Sequence, residues 1–182
     1  MNKCRNCKSV RLVDLFSLGN LSFTGKFPKS KNVNIKKREI GIAICRKCSL
    51  VQLNNSFDLK YLYNPDYGYR TGINKTMTNH MKSIKETLSR ETKLNSGDSV
   101  MDIASNDATL LNFYSKNIIK VGIDPLVNKY IKYYKNVDHK ISDFFSANKI
   151  LKKTKKKFKI ITALSVFYDA QDPNQFLKDV NK

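Results

Sequence analysis

The sequence predicts an α/β fold in two parts, a small β-rich metal-binding module followed by a partial parallel sheet. Two observations lead to this expectation. Paired C-x-x-C turns bracket the first 50 residues, and from Ser99 onward strand-like apolar runs alternate with helix-like runs. We therefore expect a module over residues 1–56, a linker and helix over 57–97, and half of an α/β domain over 98–182.

Four cysteines in two C-x-x-C pairs define the first part. The pairs read CRNC and CRKC, with 37 residues between them. Each pair places two sulfurs on one tight turn, and two such turns complete the tetrahedral thiolate site of structural zinc. The alternative is four free or disulfide-bonded cysteines, and disulfides are disfavoured in a cytosolic protein. We expect one structural zinc ion, with no open position for catalysis, bound by Cys4, Cys7, Cys45 and Cys48.

The segment between the cysteine pairs predicts a small β-sheet. LVDLFSLGNLSFTGKFP indicates a short strand, a Gly-Asn turn at residues 19–20 and an extended segment. REIGIAICRKCSLVQL indicates one strand that enters the second pair and another that leaves it. A module of about 55 residues has too small a core to be robust alone, and bound metal supplies the missing stability.

The linker contains turn residues, tyrosines and one helix. NPDYGY is typical of a turn, and Met77, Met81, Ile84 and Leu88 recur at helical spacing. The tyrosines either pack between two modules or cover a ligand, and composition alone does not separate these alternatives. They are Tyr61, Tyr63, Tyr67 and Tyr69.

The second part predicts βαβ units. Three segments, SVMDI, IKVGID and FKIITALSVFYD, read as strands, and VDHKISDFF has room for a short one between the last two. The segments ATLLNFYSK, LVNKYIKYY and PNQFLKDVNK read as helices. In parallel sheets, ligands bind beyond the carboxyl ends of the strands. Asp102, Asn106 and Asp107 lie at the end of the first such strand. Asp124 ends the second, 20 residues after Ala104, at the spacing of a ribose-binding carboxylate.

Composition restricts the expected cellular location and the expected binding partners of the protein. The 182 residues are 41% hydrophobic, without a membrane-spanning run or the apolar core of a signal peptide, so we expect a cytoplasmic protein without a membrane partner. The net charge of +19 suits phosphorylated ligands or nucleic acid. The lysines are scattered, however, and the densest run, LKKTKKKFK, is more typical of a solvated surface than of a nucleic-acid site.

Several segments together resemble one enzyme family. VMDIASNDATLL with VGIDP is similar to the E/D-I-G-S-N-D-G-T-L-L…G-I-D-P signature of sugar C-methyltransferases. The paired cysteines with CSLVQL, and the segments DYGYRTGINKTMTNH, SDFFSA and SVFYDAQDPNQFLKDV, also resemble that family, in the same order. The resemblance implies a zinc-binding domain and a Rossmann-like class I sheet that binds S-adenosylmethionine.

The resemblance also assigns cofactor contacts, at the methionine end, the ribose, the adenine and from the linker above. The methionine end is contacted by Asp102, Ala104, Ser105 and Asn106, and the ribose by Asp124. The adenine is contacted by Pro125, Leu126, Asp143 and Phe144, and the contacts from the linker are Tyr67, Tyr69 and Arg70.

This chain departs from the family pattern in two respects. Ala104 and Ala108 stand where the signature has glycine, which is a small change unless either position needs a positive φ. The family's catalytic segment and about three of its strands have no counterpart here. We therefore expect a truncated chain, inactive alone, that pairs with a C-terminal half or with itself. No catalytic base is assigned, since His80 and His139 are more typical of surface or packing residues.

The leading function is the N-terminal part of an S-adenosylmethionine-dependent C-methyltransferase, whose substrate is a nucleotide-diphosphate sugar. The alternative is a non-enzymatic, basic zinc-ribbon protein that binds nucleic acid through its lysines. A basic face interleaved with aromatic residues would favour the alternative.

Overall fold

A computed structural model describes residues 3–22, 28 and 30–182. The chain forms two compact units. The first comprises Met1–Gly68 and Asp169–Leu177, and the second comprises Tyr69–Tyr168 and Lys178–Lys182. The three-part division expected from the sequence stays a prediction. None of the described helices is long and apolar enough to cross a membrane.

The first unit is built on an antiparallel sheet of three strands in the order β1-β2-β3. The strands are β1 (Leu12–Ser22), β2 (Lys37–Cys45) and β3 (Val51–Leu53), and a short helix α1 (Leu59–Leu62) follows. One sheet face is covered: Ala43 and Gln52 lie opposite each other and are buried. Gln52 accepts a hydrogen bond from the backbone N–H of Arg5 at 2.9 Å, which fixes the first cysteine turn on this face.

The predicted Gly-Asn turn is wrong. β1 continues through Gly19 and Asn20, and Gly19 has a φ of +74°. The register with β2 shifts between Ser17 and Asn20. Glycine therefore permits a β-bulge within one long strand rather than a hairpin. The extended segment expected after the turn falls largely on residues 23–27, outside the described residues.

The second unit begins with the predicted helix. α2 (Lys75–Glu91) is capped by Asn74, whose side-chain oxygen accepts from the backbone N–H of Met77 at 3.1 Å. The apolar residues at helical spacing are half-buried on one side of the helix, as an amphipathic surface helix requires. They are Met77, Met81, Ile84 and Leu88.

A parallel sheet of four strands forms the core of the second unit, in the order β6-β5-β4-β7. The strands are β4 (Ser99–Ile103), β5 (Ile119–Ile123), β6 (His139–Ile141) and β7 (Ile160–Thr162), with helices α3 (Val127–Tyr130) and α4 (Ala147–Leu151). A last helix, α5 (Pro173–Val180), belongs to the first unit as far as Leu177. This order matches the first four strands of a Rossmann sheet, and it reverses between β4 and β7. The predicted α/β fold class is confirmed.

Several predicted elements are shorter than expected, two of them beside left-handed residues. The helix expected from Ala108 to Lys116 is a single 3-10 turn, Leu111–Phe113. Ala108 has a φ of 61°, so regular helix does not begin there. The fourth strand keeps only Ile160–Thr162, because Ser165 has a φ of 54° and a 3-10 turn, Phe167–Asp169, follows.

Candidate metal centre and candidate cofactor site

The four cysteine sulfurs lie together in the first unit. Their Sγ atoms are all within 4.8 Å of one another. Two of the distances, Cys4 to Cys48 and Cys7 to Cys45, are 3.6 Å. A tetrahedral zinc ion with Zn–S bonds of about 2.3 Å has sulfurs about 3.8 Å apart, so the cluster fits the ion. Cys4 and Cys45 are buried, while Cys7 and Cys48 are half-buried.

The two cysteine turns share one backbone geometry. The N–H of Lys8 donates to the carbonyl of Cys4 at 3.1 Å, and the N–H of Ser49 donates to that of Cys45 at 2.8 Å. Lys8 and Ser49, each directly after a second cysteine, both have a φ of 59°. This left-handed residue lets the chain leave the turn while both sulfurs face one point. This conformation could not be predicted from the sequence, since neither position is glycine.

A segment from the end of the chain packs on the cysteine module. This return segment, Asp169–Leu177, belongs to the first unit. The hydroxyl of Tyr63 donates to Asp169 at 2.7 Å. Three further contacts, at 2.9, 2.7 and 2.6 Å, join Lys8 to Asp172, Asn174 to the carbonyl of Asn6, and Gln171 to the carbonyl of Phe57.

In the second unit, a tight turn follows β4 at the carboxyl edge of the sheet. Ala104, Asn106 and Ala108 have φ values of 59°, 48° and 61°. Both alanines at the signature's glycine positions therefore adopt the left-handed conformation that glycine favours. The N–H of Ala104 donates to the carbonyl of Ile123 at 2.8 Å, which ties the turn to the end of β5.

Asp124 joins the ends of β4 and β5. Its Oδ2 accepts from the N–H of Asn106 at 2.9 Å, and its Oδ1 accepts from the N–H of Leu126 at 2.7 Å. Burial raises the pKa of Asp124 to about 6, because it outweighs the two hydrogen bonds, which act to lower that pKa. Each carboxylate oxygen has a second lone pair, so Asp124 still has acceptor capacity for a ligand hydroxyl.

Asp102 is a second buried carboxyl group at this edge. Its Oδ1 accepts from the hydroxyl of Thr162 on β7 at 2.6 Å. Burial raises its pKa to about 7, and the nearby charge of Asp124 adds to the rise. The contact between Asp102 on β4 and Thr162 on β7 lies where the strand order reverses, which is where open α/β sheets bind ligands.

Tyr134 stabilises the turn after β4 through hydrogen bonds within the second unit. The hydroxyl of Tyr134 lies 2.9 Å from that of Ser105 and donates to the carbonyl of Asn106 at 2.8 Å. Burial raises the pKa of Tyr134 far above its usual range. Ser105 is itself only 4% exposed, so its hydroxyl is engaged in this internal bond.

The residues assigned to the adenine follow β5 and β6. Leu126 is buried and Pro125 is half-buried after β5. Asp143 and Phe144 follow β6, and the N–H of Phe144 donates to Asp143 at 2.8 Å. Asp143 also pairs with Lys149 at 2.6 Å. These four residues lie at the carboxyl ends of neighbouring strands, on the same edge as Asp124.

The linker residues divide between the two units. Tyr67 belongs to the first unit, where its ring lies 5.1 Å from that of Tyr63, so its cofactor contact stays a prediction. Tyr69 and Arg70 belong to the second unit and lie against the turn after β4. The carbonyl of Tyr69 accepts from Asn106 at 3.3 Å, and Arg70 pairs with Asp107 at 2.9 Å.

Asp107 is the residue at this site whose role the sequence did not reveal. It is 1% exposed and takes hydrogen bonds from Arg70, Gly72 and Thr109. Arg70 and Gly72 lie more than 30 positions earlier, so only the fold shows the connection.

Comparison with known families assigns the first part of the chain. Residues 4–63 match the model of the family Methyltransf_13, described as "Putative zinc binding domain". Comparison with curated proteins gives no match. The matched stretch holds all four cysteines and the three strands that position them. The chain therefore carries, over residues 4–63, a zinc-binding domain of a kind found in methyltransferase-associated proteins.

Proposed function

We propose that the second unit binds S-adenosylmethionine at the carboxyl edge of its sheet, and that the chain serves a C-methyltransferase acting on a nucleotide-linked sugar. The observation that carries the proposal is the pairing of the turn Ala104–Ala108, which follows β4 at the switch point of a Rossmann-ordered sheet, with Asp124 at the end of β5. The family match over residues 4–63 gives independent support, because that zinc-binding domain is named for methyltransferases.

The proposed cofactor contacts follow from chemistry at each position. Asp124 accepts hydrogen bonds from the ribose hydroxyls through its remaining lone pairs. The turn after β4 faces the methionine end, and the apolar Pro125 and Leu126 flank the adenine. A structural zinc ion on Cys4, Cys7, Cys45 and Cys48 stabilises the first unit and takes no part in the chemistry.

The proposed reaction is methyl transfer to carbon. A base removes a proton from the carbon next to a keto group of the sugar. The resulting carbanion attacks the sulfonium methyl, and S-adenosylhomocysteine leaves as the neutral thioether. The net charge of +19 favours the approach of a substrate that carries a diphosphate.

Calorimetry tests the cofactor assignment. We expect S-adenosylmethionine to bind more tightly than NAD, and Asp124→Asn to weaken binding by about 1–3 kcal/mol through loss of charge-assisted hydrogen bonds. Asp138→Asn is the matched control. Asp138 also accepts a backbone N–H, from Lys120 at 2.8 Å, but it precedes β6 at the opposite edge of the sheet. Tighter NAD binding, or equal losses in the two variants, contradicts the assignment.

A further inference from the structure

A short segment before α2 lies directly on the candidate cofactor turn. We call residues 69–73 the strap. The contacts that bind its backbone to the turn go to two neighbouring residues, Asn106 and Asp107. These contacts thus converge on one place in the turn, and the strap itself has no regular structure beyond the 3-10 turn Thr71–Ile73.

The carboxylate of Asp107 is the central fastening. Its Oδ2 accepts from the guanidinium of Arg70 at 2.9 Å and from the N–H of Gly72 at 2.9 Å. Its Oδ1 accepts from both the N–H and the hydroxyl of Thr109, which orients the group. The Asp107 side chain is 1% exposed and that of Arg70 is 20% exposed, so this pair is shielded from solvent far more than a surface ion pair.

The fit between the strap and the turn leaves no spare room. A Cβ atom on Gly72 would lie 2.8 Å from both Asp107 Oδ2 and Thr109 Oγ1. The backbone approaches the carboxylate this closely only because the residue is glycine. The strap also contacts an aromatic ring, since the guanidinium carbon of Arg70 lies 4.2 Å from the centre of the Tyr133 ring.

Asn106 connects the strap to the candidate ribose carboxylate. Its side-chain oxygen accepts from the N–H of Thr71 at 2.9 Å, while its own backbone N–H donates to Asp124 at 2.9 Å. Any shift of the strap therefore reaches Asp124 through one residue. Tyr130, which donates to the carbonyl of Tyr69 at 2.9 Å, steadies the near end of the strap.

We propose that Asp107 is a positioning residue, whose carboxylate fastens the strap onto the turn and thereby sets how long the cofactor stays bound. This inference rests on the proposed function. Asp107 itself has its acceptors taken by the strap and Thr109, so it acts through Asn106 and Asp124.

The test compares Asp107→Asn with Asp98→Asn in the full chain. Asp98 is the matched control because it also pairs with one cation, Lys159 at 2.9 Å, and accepts one backbone N–H, from Asn95 at 2.7 Å, but lies before β4. Hydrogen exchange in the cofactor-free protein measures how strongly the Thr71 and Gly72 amides are protected. Stopped-flow displacement gives the dissociation rate of S-adenosylmethionine.

We expect Asp107→Asn to speed exchange at Thr71 and Gly72 and to raise the dissociation rate roughly 5- to 150-fold, the usual range of coupling between two sites. The association rate should change much less, since changes in the contacts of a binding site act mostly on the dissociation rate. Gly72→Ala, which pushes the strap away without altering Asp107, should reproduce both effects. Asp98→Asn should produce neither.

The outcomes separate this proposal from the proposed function. If wild-type protein binds no S-adenosylmethionine, the proposed function fails, and the exchange of Thr71 and Gly72 alone decides whether Asp107 fastens the strap. If the cofactor binds but Asp107→Asn and Gly72→Ala leave exchange and dissociation at wild-type values, the role of Asp107 is overturned. Equal acceleration by Asp98→Asn also overturns it, since the effect is then one of general stability.

Discussion

Ala104 and Ala108 are four residues apart on one turn, and both have left-handed backbone conformations, with φ values of 59° and 61°. An L-residue in this conformation costs about 1–2 kcal/mol, whereas glycine adopts it freely and loses about 0.5–1 kcal/mol of chain entropy on folding. The two alanines differ in burial: Ala104 is half-buried and Ala108 is fully buried.

We expect Ala104→Gly to raise the free energy of unfolding by about 0.5–1 kcal/mol. Ala108→Gly should be close to neutral, because it also removes a buried methyl group worth about 0.8 kcal/mol. Thermal and urea unfolding followed by circular dichroism measure both. Ala147→Gly, at the first position of α4, is the control and should destabilise. A loss of stability in Ala104→Gly contradicts the expectation.

The sequence was sufficient for the elements whose pattern is local. β4 and β5 were predicted because each is a short apolar run bounded by polar residues, and both are buried. The helix predicted after β4 was wrong, because the left-handed Asn106 and Ala108 extend the turn into that segment. No propensity scale predicts three left-handed, non-glycine residues within five positions.

Long-range contacts explain what the sequence could not supply at the candidate site. The cysteine cluster was predictable since spacing alone brings two sulfurs together on each turn. The role of Asp107 depends on Arg70 and Gly72, which only the fold brings to it. Lys120 is a different case, because its partners are local in sequence: it is 1% exposed within β5, and its ammonium donates to the carbonyls of Ser115 and Ile118 at 3.0 and 2.7 Å.

Replacing one cysteine should remove the metal and unfold the first unit. We expect Cys45→Ser to abolish binding of one zinc ion per chain and to lose the β-sheet signal of that unit, since metal binding in small zinc modules supplies folding energy of about 10 kcal/mol or more. Elemental analysis and circular dichroism measure the two effects. Lys47→Ala, between the two cysteines of the same turn, should keep the metal. Protein purified without chelator that contains no metal, with four freely titratable thiols, would rule out the site.

Protonation of Asp102 should make stability depend on pH in a defined direction. Burial raises the pKa of Asp102 to about 7, against about 3.9 in an unfolded chain. The folded protein therefore holds a proton that the unfolded chain releases between about pH 4 and 7. This contribution is complete below pH 4, falls as pH rises through 7 by at most about 1.4 kcal/mol per pH unit, and is constant above.

The difference between wild type and Asp102→Asn isolates this contribution from that of titrating groups that do not interact with Asp102. Urea unfolding between pH 5.5 and 8.5 should show a difference that changes up to pH 7 and then levels off. For Asp98→Asn the difference should be constant, since the N–H of Asn95 and then Lys159 lower the pKa of Asp98. A flat difference for Asp102→Asn would mean that Asp102 is ionised in the folded protein.

Removing the metal should also loosen the return segment, although no residue of Asp169–Leu177 is a metal ligand. Asn6 and Lys8 flank Cys7 in the first cysteine turn, and they contact Asn174 and Asp172 at 2.7 and 2.9 Å. When the turn loses its metal, its carbonyl and ammonium groups are no longer fixed, so these contacts lose their geometry. We expect chelation to speed hydrogen exchange in Asp169–Leu177 at least about tenfold, while the amides of β5 stay protected.

Asp172→Asn provides the comparison in metal-bound protein. Because Lys8 and Asp172 are about half exposed, their ion pair is worth little alone, and this variant should have a much smaller effect than chelation. Unchanged exchange in the return segment after complete metal loss would show that its order is independent of the cysteine cluster.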